Sequence, residues 1–288
     1  MRLVLQLFTC CLLLVSAATL AKSSVWKAQK QGQVLYLGGT VHLLTKQDFP
    51  LPREFTHAYE VADTIVFEID IDELSDPKLQ QQMLEIQLLS EGTIFDVIND
   101  KTQQDLTGFF TSRGLDFKQL QRYKPGFIAM TMHMQALRSI GFTQEGVDQY
   151  FFNLAGKDGK PRQYLETAIQ QIKMLAGMGV GYENDFFQFT LRDINNIELE
   201  ITPLVTAWRS GDINELKNLS LAEMEKDFPK VYQQLVVDRN HKWLQKLQAM
   251  AQTKEIEFVL GGVLHFPGQD GILNLLQQQG FTITQVHL

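Results

Sequence analysis

Two stretches of the sequence repeat one pattern near opposite ends of the chain: VLYLGGTVH at residues 34–42 and FVLGGVLH at residues 258–265. In each stretch an apolar, strand-like run ends at paired glycines and is followed by a histidine. With average glycine usage and six histidines in the chain, roughly 0.03 such Gly-Gly-x-x-His strings are expected by chance. The repetition therefore indicates a shared structural role for the two ends of the chain.

The patterns between these stretches predict an α/β fold. A helix is expected at residues 53–62 and a buried strand at residues 64–70. Apolar residues then recur at three- and four-residue spacing over most of the middle of the chain, which is typical of helices. Since no low-complexity linker divides the chain, we expect one domain at residues 22–288. Its central, mostly parallel or mixed sheet is built from both chain ends, with a large helical insertion at about residues 76–252.

The N-terminus predicts a secretory signal peptide at residues 1–21. A basic residue precedes an apolar stretch at residues 3–15, and small residues follow, with cleavage preferred after Ala21. Both cysteines, Cys10 and Cys11, would leave with it, so the mature chain would have no disulfide, thiolate ligand or cysteine nucleophile. The alternative interpretation is an uncleaved membrane anchor. We expect a bacterial periplasmic or secreted protein without stable membrane insertion after cleavage.

The charge of the chain argues against nucleic acid as a partner. The formal net charge is −7, and no run of Lys and Arg occurs. The chain therefore lacks the clustered cations that would release counterions from a phosphate backbone.

The two glycine-histidine turns predict a metal site. Ligands of open α/β sheets collect beyond the carboxyl ends of the strands, where glycines allow unusual backbone angles and close approach. We expect His42 and His265 to point into one crevice there, with Glu68 near the end of the strand at residues 64–70. Two imidazoles and one carboxylate leave coordination positions open for water, as in catalytic metal sites, where the water is acidified and a carbonyl is polarised.

Simpler interpretations of these residues stay open. A buried histidine at a strand end usually hydrogen-bonds to the backbone. Glu68 is followed by Asp70 and Asp72, which is also the pattern of a solvated acidic strand end. However, a charged residue directly after an apolar run is costly to bury without a partner.

The residues resemble the TraB/GumN family, which includes the Tiki proteins, a group similar to membrane-tethered metalloproteases of Wnt ligands. The resemblance rests on the paired motifs from Gly39 to His42 and from Gly262 to His265. It extends over essentially the whole mature chain, at residues 66–69, 146–148, 159–161, 165–167, 239–240, 268–273 and 280–283.

The resemblance implies a fold related to erythromycin esterase and the haem-binding ChaN proteins. It also implies a divalent metal ion, manganese first and cobalt or zinc as alternatives, held through the motif histidine and the glutamate. The family's Arg/Asn pair falls on Arg239 and Asn240. Arg239 would stabilise a developing oxyanion and Asn240 would donate a further hydrogen bond. The alternative is an ordinary pair on a helix surface.

Two further carboxylates, Asp148 and Glu166, complete the candidate catalytic residues alongside Glu68, Arg239 and Asn240. Glu166 is expected to orient a histidine ligand or to act as a base. For both residues an equally good interpretation is a cap or hydrogen bond to a backbone turn.

The leading hypothesis is a metal-dependent hydrolase that cleaves amide bonds in peptide or protein substrates of the cell envelope. The chain has no His-Glu-x-x-His helix, so a peptidase of this kind would be unusual. One alternative is a periplasmic protein that binds haem, a metal or a peptide without catalysis. Another is a metal-dependent esterase. The sequence leaves the oligomeric state open.

Overall fold

The computed structural model describes residues 22–288, so the expected signal peptide at residues 1–21 lies outside the described residues. The strands are β1 (Lys22–Lys30), β2 (Gln33–Thr40), β3 (Leu43–Leu44), β4 (Thr64–Phe67), β5 (Gln144–Glu145), β6 (Arg162–Tyr164), β7 (Glu257–Gly262) and β8 (Thr282–His287).

The helices lie mostly between β4 and β7. They are α1 (Arg53–Val61), α2 (Pro77–Gln87), α3 (Asp100–Thr111), α4 (Pro125–Ser139), α5 (Val147–Asp158), α6 (Ala168–Gly177), α7 (Glu183–Ser210), α8 (Ile213–Ser220), α9 (Ala222–Asp227), α10 (Pro229–Tyr232), α11 (Asp238–Met250) and α12 (Ile272–Gln278). A π-helical segment, Gln233–Val237, joins α10 to α11. Within residues 22–288, none of these helices combines the length and apolarity needed to cross a membrane.

Within the described residues, six strands form one mixed sheet in the order β6-β4-β7-β2-β1-β8. The pairs β6-β4, β4-β7 and β7-β2 are parallel, whereas β1 runs antiparallel to both β2 and β8. The α/β fold with a sheet built from both chain ends is therefore confirmed. The helical insertion also contributes to the sheet, because β6 forms its edge, and β5 pairs separately with β3.

The core lies on both faces of the sheet, as the alternation of side chains along a strand requires. On one face, Phe258 of β7 packs in a cluster with Phe55 of α1 and Trp208 of α7. On the other face, the next residue, Val259, packs in a cluster with Trp243 of α11. A third cluster fills the space between α3, α4 and α7 in the insertion. Helices thus cover both faces of the parallel strands.

The glycines of the two motifs lie beside each other. The parallel register of β2 and β7 sets Gly39 opposite Gly261 and Thr40 opposite Gly262. None of the four motif glycines has a positive φ, so an unusual backbone angle is not what they supply. Their role is close packing, since a Cβ on Gly39 would lie 2.9 Å from a methyl carbon of Val263.

The opposite ends of these strands hold a buried carboxyl group. Glu257, the first residue of β7, pairs with Leu35 on one side and Thr64 on the other, and only 2% of it is exposed. Its Oε2 atom has no hydrogen-bond partner within the described residues. Burial raises the pKa of this carboxyl group to about 7.

Replacing Glu257 by Gln is expected to make the free energy of unfolding less sensitive to rising pH. The pKa of Glu257 lies at about 7 in the folded state against an ordinary 4.5, so the folded protein binds a proton that the unfolded chain releases in this window. Stability of the wild type therefore falls as the pH rises from 4.5 to 7, by roughly 3 kcal/mol, and then levels off. Urea unfolding of Glu257→Gln should show an advantage over the wild type that grows through this window.

A matched control is Glu198→Gln, which changes an exposed glutamate on α7. Its stability difference from the wild type should stay constant with pH. If the unfolding free energies of Glu257→Gln and the wild type also differ by the same amount at every pH, the carboxyl group of Glu257 is ionised in the folded state. Its raised pKa would then be wrong.

Candidate active site

Four neighbouring parallel strands carry candidate site residues at their carboxyl ends. His42 follows β2, Glu68 directly follows β4, and Glu166 follows β6. His265 ends the short 3₁₀ turn Val263–His265 after β7. Because the carboxyl ends of parallel strands meet at one edge of a sheet, these residues gather in one crevice although they are distant in sequence.

The three residues predicted as metal ligands converge on one point above Gly262. A Cβ atom on Gly262 would lie 3.3 Å from Oε1 of Glu68, 3.7 Å from Nε2 of His42 and 3.7 Å from Cδ2 of His265. The backbone N–H of Gly262 itself donates a hydrogen bond to Oε1 of Glu68, at 2.6 Å. The absence of a side chain at this glycine therefore keeps open the space that the three residues share.

His42 is oriented by Asp148. The pairing of β3 with β5, and a hydrogen bond of 3.1 Å from the Val147 N–H to the Val41 carbonyl, bring the start of α5 against the backbone of His42. Gly146 allows this approach, since any Cβ there would collide with that backbone. Asp148, in the first turn of α5, then lies with Oδ1 3.2 Å from Nδ1 of His42.

This contact decides the charge and direction of the His42 ring. The Asp148 carboxylate raises the pKa of His42 to about 9, although 67% of the imidazole side chain is exposed. Without an ion, His42 is thus largely protonated at neutral pH. Its Nδ1–H donates to Asp148, and Nε2 faces the point above Gly262, so ligation of a metal there would release a proton.

His265 is held by Asn240, and it is buried, with 3% exposed. The two amide hydrogens of Asn240 donate to the carbonyl oxygens of His265, at 3.0 Å, and Asp270, at 2.7 Å. Oδ1 of Asn240 must therefore accept a hydrogen bond from Nδ1–H of His265, at 2.6 Å. Nε2 of the neutral ring then carries no hydrogen and presents a lone pair. Burial and the nearby Arg239 lower the pKa of His265 to about 3, so this ring is neutral.

Asn240 has no free donor for a substrate, because both of its amide hydrogens are used. It positions His265, whereas the sequence suggested a hydrogen bond to an oxyanion. The interpretation of Arg239 and Asn240 as a helix-surface pair is wrong, since both are buried while Asp238 and His241 beside them are exposed.

The guanidinium group of Arg239 lies at the centre of the site. Nη1 donates to Nε2 of His265, at 2.8 Å, and Nη2 lies 2.5 Å from both Oε2 of Glu68 and Oε1 of Glu166. Its Nε–H also donates to Oε1 of Glu166, at 3.1 Å. Burial by itself opposes ionisation of Glu68, but Arg239, protonated His42 and the Gly262 N–H outweigh it and lower the pKa of Glu68 to about 2. Glu68 is therefore an anion, and Glu166 holds Arg239 instead of a histidine.

Gln171 and Trp243 are site residues that the sequence did not single out. Nε2 of Gln171, on α6, donates to Oε2 of Glu68, at 2.8 Å, and to Oε1 of Glu166, at 3.1 Å. Trp243 lies one helical turn after Arg239 on α11, with its ring centroid 4.2 Å from that of His265 and 4.6 Å from Cζ of Arg239. The i,i+4 spacing from Arg239 was the only sequence signal for Trp243, and a neutral Gln in a helix gives none.

The side chains present suit a divalent ion. Each histidine has its Nδ1 tied to an oxygen atom, which fixes the ring and directs Nε2 into the crevice, and Glu68 supplies a carboxylate. Arg239, however, now donates to both Nε2 of His265 and Oε2 of Glu68. Within residues 22–288, no three His, Cys, Asp or Glu side chains are gathered closely enough to hold an ion as they stand. Ligation requires the guanidinium to turn away, and the metal set stays a prediction.

Comparison with known proteins identifies one family. The sequence model of the TraB/PrgY/gumN family matches residues 24–285, which include every site residue described above. No curated protein and no solved structure gives a significant match. The resemblance inferred from the motifs is thereby confirmed.

Replacing Gly262 by Ala should block the site without unfolding the protein. The backbone of Gly262, with φ −51° and ψ 133°, accepts any residue, and the N–H that donates to Glu68 is retained. The added methyl group would occupy the point at which Nε2 of His42 and the Glu68 carboxylate face each other. We expect the affinity for Mn²⁺, measured by isothermal titration calorimetry, to fall by about tenfold or more.

Gly108→Ala is the matched control, because a Cβ at Gly108 meets no atom within 4 Å. It should leave the Mn²⁺ affinity unchanged, and it should raise the thermal midpoint slightly because Ala is favoured over Gly inside a helix. Unaltered Mn²⁺ binding by Gly262→Ala would show that the ion does not bind at this point.

Removing the guanidinium with Arg239→Ala should destabilise the protein and make it more responsive to Mn²⁺. The loss of one partner leaves two buried carboxylates facing each other, which typically costs about 3–5 kcal/mol. Mn²⁺ would replace the missing positive charge and would no longer compete with Arg239 for His265 and Glu68. The increase in thermal midpoint on adding Mn²⁺ should therefore be larger for Arg239→Ala than for the wild type.

The control is Arg192→Ala, which removes a half-exposed arginine paired with Glu223 on the surface. It should show the same Mn²⁺-induced shift as the wild type. An equal or smaller shift in Arg239→Ala would contradict competition between the guanidinium and the ion.

Proposed function

The chain belongs to the TraB/PrgY/gumN family, and from this premise we propose that it is a metal-dependent hydrolase acting on peptide or protein substrates in the bacterial cell envelope. The observation that carries the proposal is the pair of fixed histidines. Both rings come from Gly-x-x-His turns, both have Nδ1 tied to a side-chain oxygen, and both lie with Glu68 around Gly262. The apolar stretch at residues 3–15 supports the envelope location.

The proposed ligands are His42, Glu68 and His265, with Mn²⁺ as the first candidate and Co²⁺ or Zn²⁺ as alternatives. When bound, a divalent ion would acidify water and polarise the carbonyl group of a substrate. Neutral His265 and anionic Glu68 already have the protonation states that ligation needs. His42 is the most exposed of the three, so substrate would approach from its side.

Arg239 is the proposed stabiliser of the oxyanion. Its Nε and Nη2 groups contact Glu166, which keeps the guanidinium near the site even when other contacts change. In the proposal, Nη1–H leaves His265 and donates to the developing oxyanion of the substrate. The guanidinium carries its charge in a buried setting, where such an interaction is stronger than in water.

A second candidate function is binding without catalysis, with haem, a metal or a peptide as the ligand. The closed hydrogen-bond network around Arg239 favours it, because His265 and Glu68 are both satisfied without any ion. A metal-dependent esterase would use the same residues and differ only in substrate.

The experiment that tests the proposal combines metal analysis with cleavage assays. Purified protein is loaded with Mn²⁺, its metal content is measured by mass spectrometry, and labelled casein and p-nitrophenyl acetate are used as peptide and ester probes, with and without chelator. A peptidase cleaves casein in a chelator-sensitive manner. A binding protein cleaves neither probe, and a haem-binding protein develops a Soret band on addition of haem.

His42→Ala and His265→Ala should each lose the bound Mn²⁺ while their circular dichroism stays close to that of the wild type. The reason is that each removes one of three ligands and leaves the sheet intact. His241→Ala is the matched control, since His241 is exposed on α11 next to Asn240 and should keep full metal content. Full retention of metal in both site variants would refute the ligand assignment.

A further inference from the structure

Gln171 and Arg239 bridge the same two carboxylate oxygens. Oε2 of Glu68 and Oε1 of Glu166 each accept from Nη2 of Arg239, at 2.5 Å. The same two oxygens each accept from Nε2 of Gln171, at 2.8 and 3.1 Å. The four side chains thus form a closed ring of two donors and two acceptors, in which one donor is charged and the other is neutral.

The orientation of the Gln171 amide follows from the charges around it. Two carboxylates face the group, so its NH₂ side must point toward them, because the amide oxygen would be repelled. An NH₂ group has two hydrogens, and each carboxylate takes one. Gln171 therefore uses its full donor capacity in holding Glu68 and Glu166 together.

The helix that carries Gln171 is firmly placed. Thr167 caps α6 in a capping box with Gln170, and α6 packs against α2 and α4. The peptide N–H of Glu166 also donates to the carbonyl of Glu68, at 2.8 Å, so the two carboxylates leave adjacent strands side by side. Gln171 approaches the two carboxylates from α6. Its hydrogen bonds fix the direction of the Glu68 side chain, which the strands by themselves do not determine.

We propose that Gln171 is the positioning residue that keeps the Glu68 carboxylate in its ligand orientation when Arg239 turns from Glu68 to the substrate. This rests on the proposed function, in which the guanidinium leaves part of its present network. Two neighbouring carboxylates repel each other more strongly once Arg239 no longer bridges them, even while it keeps its contact with Glu166. Gln171 is the donor that remains on both, and as a neutral group it does not compete with an incoming cation.

The first test is the affinity for Mn²⁺, measured by isothermal titration calorimetry on the full protein. Gln171→Leu has a similar volume and no donor, so we expect the affinity to fall by about tenfold to a hundredfold, the usual effect of removing a group that orients a metal ligand. Circular dichroism and thermal midpoint report whether the variant is folded. Gln82→Leu, at an exposed position of α2, is the matched control and should bind like the wild type.

The second test separates positioning from mere packing by a double-mutant cycle with Glu166→Gln. An amide at position 166 does not repel Glu68 and can donate to it, so the loss caused by Gln171→Leu should shrink to less than about threefold in that background. A packing role would give the same loss in both backgrounds, and that result overturns the proposal. Unchanged affinity in Gln171→Leu overturns it as well.

A wild type that binds no Mn²⁺ would refute the proposed function and, with it, a role in metal ligation. The hydrogen bonds of Gln171 are then tested separately, by the thermal midpoints of the metal-free wild type, Gln171→Leu, Glu166→Gln and the double variant. Non-additive shifts support Gln171 as the bridge between Glu68 and Glu166, and additive shifts overturn it.

Discussion

The parallel pairing of β2 with β7 is the constraint on which the site depends. It joins two chain ends and sets Gly39 beside Gly261, so that both strands end at the same level. The turns that follow then carry His42 and His265 to the same edge of the sheet. The glycines serve this pairing through their lack of a side chain, since the space that a Cβ would occupy holds Val263 at one motif and the site at the other.

The site itself depends on a balance of buried charge. Glu68 and Glu166 lie side by side, and two carboxyl groups in such a buried setting are stabilised by a cation between them. Arg239 supplies that cation, and its guanidinium lies over the ring of Trp243. The same arrangement occupies Nε2 of His265 and Oε2 of Glu68 with the guanidinium, so the divalent ion proposed above would have to displace it.

Each histidine owes its direction to a residue from the helical insertion. Asp148 reaches His42 because β5 pairs with β3, and Asn240 reaches His265 because α11 packs across the sheet. These contacts fix the direction of each ring, with Nδ1 of His42 at Asp148 and Nδ1 of His265 at Asn240. The insertion therefore does more than cover the sheet, since its residues orient the two histidines at the strand ends.

The sequence by itself determined the α/β class, the two glycine-histidine turns and the family to which the chain belongs. It also predicted a strand at residues 64–70 with Glu68 near its end, and the strand in the structure ends at Phe67. These features are local, because a run of apolar residues or a pair of glycines determines the structure of only the few positions around it. The sequence also named Arg239, Asn240, Asp148 and Glu166, but only as alternatives to surface or capping roles.

Only the tertiary structure decided what those residues do. It assigned Asp148 to His42, Asn240 to His265 and Glu166 to Arg239, and it brought in Gln171, which carries no charge and no motif. Partners of this kind come from helices and strands far apart in the chain, and their hydrogen bonds depend on distances and directions set by packing. No local pattern of residues encodes such distances, which is why the fold class could be predicted from the sequence and the roles within the site could not.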